Sequence, residues 1–199
     1  MKKAHRKVVV FTSLIAVLVF TSALLMALAP APLTPDATNS LFAVDAPASM
    51  DAVFQTQVPC NNTAWKYIYI HHSRSTASGT PNIAQPNGEL SDHFVIGNGE
   101  GLADGEVQLG QRWEEQRSAA APVRGTQIDP ACISICVIGD FDQSRPTPTQ
   151  LRRLAQLVNS IQARYRIPLA SVALADQSHS VAGIGKYFPV TAFREQLIP

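Results

Sequence analysis

Strongly basic segments are missing beyond the first few residues of this chain, and their absence argues against nucleic acid as a partner. Of the 16 Lys and Arg, four precede Val8, which leaves 12 against 15 Asp and Glu, a balance of −3. Cysteine is scarce as well. Cys60, Cys132 and Cys136 are 3 in number, so at most one disulfide can form within the chain. Cys132 and Cys136 share one face of an apolar run. Four residues of extended chain separate them by about 13 Å, too far to bridge each other. Both read as buried structural thiols, and CxxxC in this setting is not a metal motif. Cys60 could pair with either of them or with another chain. The sequence contains no internal repeat.

Charge is also absent from Val8 to Ala29, a run of 22 residues. As a helix it would measure about 33 Å, enough to cross a bilayer core. Lys2, Lys3, His5, Arg6 and Lys7 precede it and would stay in the cytoplasm, with everything after Pro30 exported. Pro30 directly follows the small-x-small triplet Ala27-Leu28-Ala29, where it would hinder a signal peptidase. The expectation is therefore an N-terminal transmembrane helix over residues 1–29 that anchors an extracytoplasmic (periplasmic or cell-surface) domain. A cleaved signal peptide, with a secreted product, is the alternative.

Residues 30–63 are rich in Ala, Pro, Thr, Ser and Asp and read as a linker that could partly dock on the domain C-terminal to it. That domain is expected over 64–199, a size suited to one core. Lys66–His72 alternates as a strand, and Asp92–Gly97 is a second, closed by the turn-rich Asn98-Gly99-Glu100-Gly101. Gly105–Trp113 is a short third. Cys132–Ile138 is almost unbrokenly apolar, as a central strand covered on both faces would be. A helix comes next. Thr147 is its N-cap, Pro148 its first residue and Gln150 the partner in a capping box. Leu151, Leu154, Leu157, Val158, Ile161 and Tyr165 make its apolar stripe, with Arg152, Arg153, Gln156, Gln162 and Arg164 mostly on a solvated face. A last short helix is expected over Thr191–Leu197. The fold class is α/β (mixed), a central mixed β-sheet flanked by helices.

The pieces YIYIHHS, DHFVIGNGEGLADGEVQLGQRW, ISICVIGDFD, RPTPTQLRRLAQLVNSIQARYRIP and GKYFPVTAFREQL succeed one another across nearly all of residues 65–197. In that order and spacing the chain resembles the type-2 N-acetylmuramoyl-L-alanine amidases and peptidoglycan recognition proteins. The resemblance implies their fold, peptidoglycan or muropeptide as partner, and a zinc held by two His and one Cys or Asp. The zinc would activate a water against the amide joining muramic acid to L-alanine.

Carried over residue by residue, the site is depleted. His71 matches the first zinc ligand. The second falls at or beside Ala175-Asp176, the third is Gly183, and the Lys or Thr near it is Val181. Asp92 stands where the family commonly has a catalytic Tyr. The segment 74–91, with Pro81 and Pro86, cannot carry the regular helix that walls the family's groove.

Three readings are compatible with this pattern. In the first, the domain is zinc-free and catalytically degenerate and binds the wall through His72, His93, Asn98 and Arg112, with His71 and Trp113 nearby. In the second, zinc is held by a rearranged set, His71, Asp176 and His179, with Asp92 or Glu89 as base, and the amidase is active. The third is a structural or protein-interaction role with neither metal nor ligand.

Overall fold

The computed structural model describes residues 40–41, 50–60, 64–75, 87–120, 129–175 and 184–199. The expected transmembrane run lies outside these residues, as do the segment 76–86, Asp176 and His179. No described helix is long and apolar enough to cross a membrane.

Six strands form one mixed sheet in the order β1-β4-β3-β5-β2-β6. They are β1 (Ser40–Leu41), β2 (Tyr67–His72), β3 (Phe94–Ile96), β4 (Val107–Leu109), β5 (Cys132–Val137) and β6 (Val172–Leu174). β5 runs parallel to both β2 and β3, β6 is parallel to β2, and β4 is antiparallel to β1 and β3. All six residues of β5 are buried, as its unbroken apolar sequence requires of a central strand. In β2, Ile68 and Ile70 enter the main core, whereas Tyr69 and His71 point to the opposite face.

The main core lies between that sheet face and the long helix α2 (Pro148–Tyr165), which follows the short α1 (Gln111–Glu114) and precedes α3 (Val190–Arg194). The Thr147 side chain accepts from Gln150 N at 3.0 Å, and Gln150 Oε1 accepts from Thr147 N at 3.1 Å, the reciprocal box expected. Leu154, Leu157, Val158, Ile161 and Tyr165 pack on Ile68, Ile70, Ile133, Ile135 and Phe94. The helix stops at Arg166, whose left-handed backbone (φ 56°) closes the last turn ahead of Pro168.

Some expectations are corrected. Arg153 and Gln162 are buried rather than solvated, at 5% and 3% exposure. The turn at Gly105 presses on Thr149 and Arg153, while Gln162 Nε2 donates to the carbonyls of Ile167 and Ile198 in the segments that cover it. The third strand ends at Leu109, and Trp113 sits in α1 instead, fully buried with its Nε1 donating to Val53 O at 2.6 Å. Gly110 makes that change of direction possible, because a Cβ there would meet Asp92 O at 2.2 Å. Met50 and Val53, from the stretch read as linker, belong to the core. β6 was not expected from the sequence; it ends just before Ala175-Asp176, where the second ligand was placed.

Candidate functional site

The face of the sheet opposite α2 carries the residues with chemistry. Parallel register places His71 of β2 against Cys136 of β5, and Cys136 in turn against Val95 of β3. Leu90, Val95, Cys136 and Ile138 form a second, smaller core there, with Leu102 against it. Just before β3 the chain bends through 91–93, so Asp92 and His93 leave it in different directions. Asp92 reaches His71, and His93 packs among Trp65 and Trp113, 4.9 and 5.8 Å between ring centroids.

His71 Nε2 lies 2.8 Å from Asp92 Oδ1, and both residues are buried. The same carboxylate oxygen accepts from Ser134 Oγ. Burial works against charge on His71, but the Asp92 carboxylate and its hydrogen bond outweigh it, so the pKa is raised. Burial likewise opposes charge on Asp92, and here the His71 charge and the donors His71 and Ser134 prevail, lowering the pKa. Both shifts favour the charged forms, imidazolium and carboxylate. The second ring nitrogen, Nδ1, lies 3.3 Å from His72 O, placed to donate to it.

The other expected ligand-binding residues are not gathered around this pair. His72 faces the main core, stacked on Phe141 with Phe141 N donating to its Nδ1 at 3.0 Å, and burial lowers its pKa. His93 is fully buried. Its Nδ1 accepts from Ser134 N at 3.0 Å and its Nε2 donates to Arg117 O at 2.8 Å, and burial pushes its pKa down to about 4. Arg112 donates to Ser118 O and, at 3.5 Å, to Glu89. Glu89 is also paired with Arg117. Burial opposes its charge, but the hydrogen bonds from Arg117 and Asn87 and the two arginine charges hold its carboxyl below the usual range, so it is a weak base. Asn98 Oδ1 accepts from Glu100 N in the loop after β3. An open recess of about 370 Å³ lies at the other end of β2, lined by Trp65, Tyr67, Tyr165 and Pro168 among others.

The zinc ligands implied by the resemblance do not fit these residues. No histidine stands at or beside Ala175-Asp176, and Gly183 offers no donor atom. Asp176 and His179, the alternative donors, lie outside the described residues. Cys136 is a buried thiol, as the sequence implied, but it also lies beside His71 and Asp92: one donor atom from each is within 4.8 Å of the other two. The three cysteines are free thiols. Only register brings Cys136 to His71, and the apolar sequence around it gives no sign of the meeting.

A family model described as N-acetylmuramoyl-L-alanine amidase matches residues 61–187. None of the curated proteins matches the chain. Among solved structures, the endolysine N-acetylmuramoyl-L-alanine amidase LysCS from Clostridium intestinale URNW is similar over 71% of this chain and 89% of its own, at 18% identity and TM-score 0.51. The amidase LysC from the same organism is similar over 71% and 91%, also at 18% identity and TM-score 0.51. The amidase AmiD from E. coli, in complex with the substrate anhydro-N-acetylmuramic acid-L-Ala-D-gamma-Glu-L-Lys, is 20% identical over 71% of this chain and 61% of its own, with TM-score 0.49. At such identities the likeness to LysCS and LysC speaks for the fold alone.

Proposed function

Because this chain belongs to the N-acetylmuramoyl-L-alanine amidase family, we propose that its domain binds peptidoglycan outside the cytoplasmic membrane and has lost the family's hydrolytic zinc chemistry. Members of the family typically depend on zinc, which supplies an activated water and polarises the scissile amide. The observation that carries the loss is the family's ligand set itself. Beyond His71, no histidine stands at or beside Ala175-Asp176, the third ligand position is a glycine, and Asp92 stands in place of the family's tyrosine. A zinc hydrolase needs three protein ligands and an open position, and the family's positions do not supply the three.

The apolar run from Val8 to Ala29 supports a membrane anchor that would hold the domain next to its wall ligand. The sheet and α2 share one buried apolar core, so the fold can present loops to a ligand without a catalytic metal.

The test is to incubate the full chain with defined muropeptides, measuring binding by calorimetry and release of the stem peptide by mass spectrometry. Binding without release is expected. Cleavage of the muramoyl–L-alanine bond at the rate of an active family member would overturn the degenerate reading. No affinity for any muropeptide would overturn the wall-binding one. Localisation is tested by protease accessibility of the domain in intact spheroplasts, where degradation is expected and full protection would contradict export.

A further inference from the structure

We propose that His71 Nε2, the Asp92 carboxylate and Cys136 Sγ bind a zinc-like divalent cation, at a site that shares only His71 with the family's ligand set. The proposal stands apart from the wall-binding reading: a metal could sit here whether or not the groove holds a muropeptide.

Geometry is the first reason. The three donor atoms lie within 4.8 Å of one another. Zinc bonded to N, O and S at about 2.0–2.3 Å in a tetrahedron needs donor separations of roughly 3.3–3.6 Å. His71 and Asp92, now 2.8 Å apart, would open by about half an ångström, and Cys136 would close by up to about 1.3 Å. Side-chain torsions with slight repacking around them would supply these movements. His71 and Cys136 are register partners on adjacent strands, and Asp92 lies in the bend two residues before the strand on the other side of β5. Two of the three donors therefore sit on strands of the sheet.

Orientation is the second. A metal-binding imidazole commonly gives its other ring N–H to a carbonyl or carboxylate, and ligating carboxylates are themselves hydrogen-bonded. Both supports are present: His71 Nδ1 faces His72 O at 3.3 Å, and Ser134 Oγ donates to Asp92.

The third reason is donor chemistry. One nitrogen, one carboxylate and one thiolate suit a borderline-soft ion such as zinc, whereas magnesium and calcium prefer oxygen alone. Exposure of the donor residues is 6%, 1% and 0% for His71, Asp92 and Cys136. A cation in such a place would tie β2 and β5 to the segment that leads into β3. Its first consequence would be stability.

Cobalt(II), a spectroscopic substitute for zinc, is the probe. Titrated into the metal-free full-length chain, purified in detergent, it should bind one per chain, show a thiolate-to-cobalt charge-transfer band and raise the thermal midpoint. Zinc should displace it. The band should be lost in Cys136→Ser and in Asp92→Asn, and kept in Cys60→Ser, Cys132→Ser and His179→Ala. Thermal unfolding of each variant in chelator reports whether it is folded. If Cys136→Ser does not fold, the unsubstituted chain still decides the matter, since absence of the band there overturns the proposal. Cobalt that persists in folded Cys136→Ser, or is lost in His179→Ala, would also overturn it and point to donors elsewhere, such as Asp176 and His179.

Discussion

The Nε2 of His71 and the Oδ1 of Asp92 lie 2.8 Å apart with neither residue open to water, so each charge depends on the other. Removing Asp92 lets burial drive the proton off His71, so the loss is that of a buried hydrogen-bonded partner, typically about 1–3 kcal/mol. Asp92→Ala should accordingly destabilise the metal-free protein by an amount in that range. Asp92→Asn keeps a hydrogen bond and should cost less. Urea unfolding in the presence of chelator measures both; a loss below about 1 kcal/mol for Asp92→Ala would mean the pair is not held as described.

Stability should decline on the acid side of neutrality. His93 is held neutral by burial, with its pKa at about 4 against 6.5 for the free side chain. A depressed folded pKa means the unfolded chain takes up the proton first, so stability is lost as pH falls from about 6.5 toward 4. Over that window the full linkage is on the order of 3 kcal/mol. His72, also lowered, acts in the same direction. His71 acts oppositely: its raised pKa gives stability that is fully present below about 6.5 and lost as pH rises through its folded value. Denaturation midpoints across pH should show an acid limb that flattens in His93→Gln, whose amide can still accept from Ser134 N and donate to Arg117 O.

The capping box makes a local prediction. Thr147 Oγ1 accepts from Gln150 N and also donates to Asp104 Oδ1 at 2.6 Å, tying the helix start to the turn after β3. Thr147→Ala should cost about 1 kcal/mol, within the usual range for an N-cap, with Thr147→Ser recovering most of it. Equal stability of the alanine variant would count against both contacts.

Thiol reactivity should separate the three cysteines. Burial pushes the Cys132 thiol up to about 12 and raises Cys136 well above its ordinary value. Cys60 is only half-buried. Brief alkylation of the native metal-free protein near neutral pH, read by peptide mass spectrometry, should label Cys60 and leave Cys132 and Cys136 for the denatured chain. Early labelling of Cys136 would contradict its burial.

The amino-acid sequence by itself determined whatever is decided within a few residues of chain. Thr147, Pro148 and Gln150 specify the start of α2, and its apolar spacing specifies the face that packs on the sheet. The alternation before His71 and the apolar run Cys132–Val137 specify strands, and the order of these pieces was enough to recognise the family. Burial of Arg153 and Gln162 was not legible, because segments distant in sequence cover them. Nor was Asp92's role, which depends on a bend that sends it and its neighbour His93 to different surroundings. Cys136 shows the limit best. A strand's side chains alternate in direction, so a shift of one residue in the pairing of β2 with β5 would turn Cys136 away from His71. That register is set by the packing of two strands about sixty residues apart in the chain, and only the tertiary structure brings imidazole, carboxylate and thiol together.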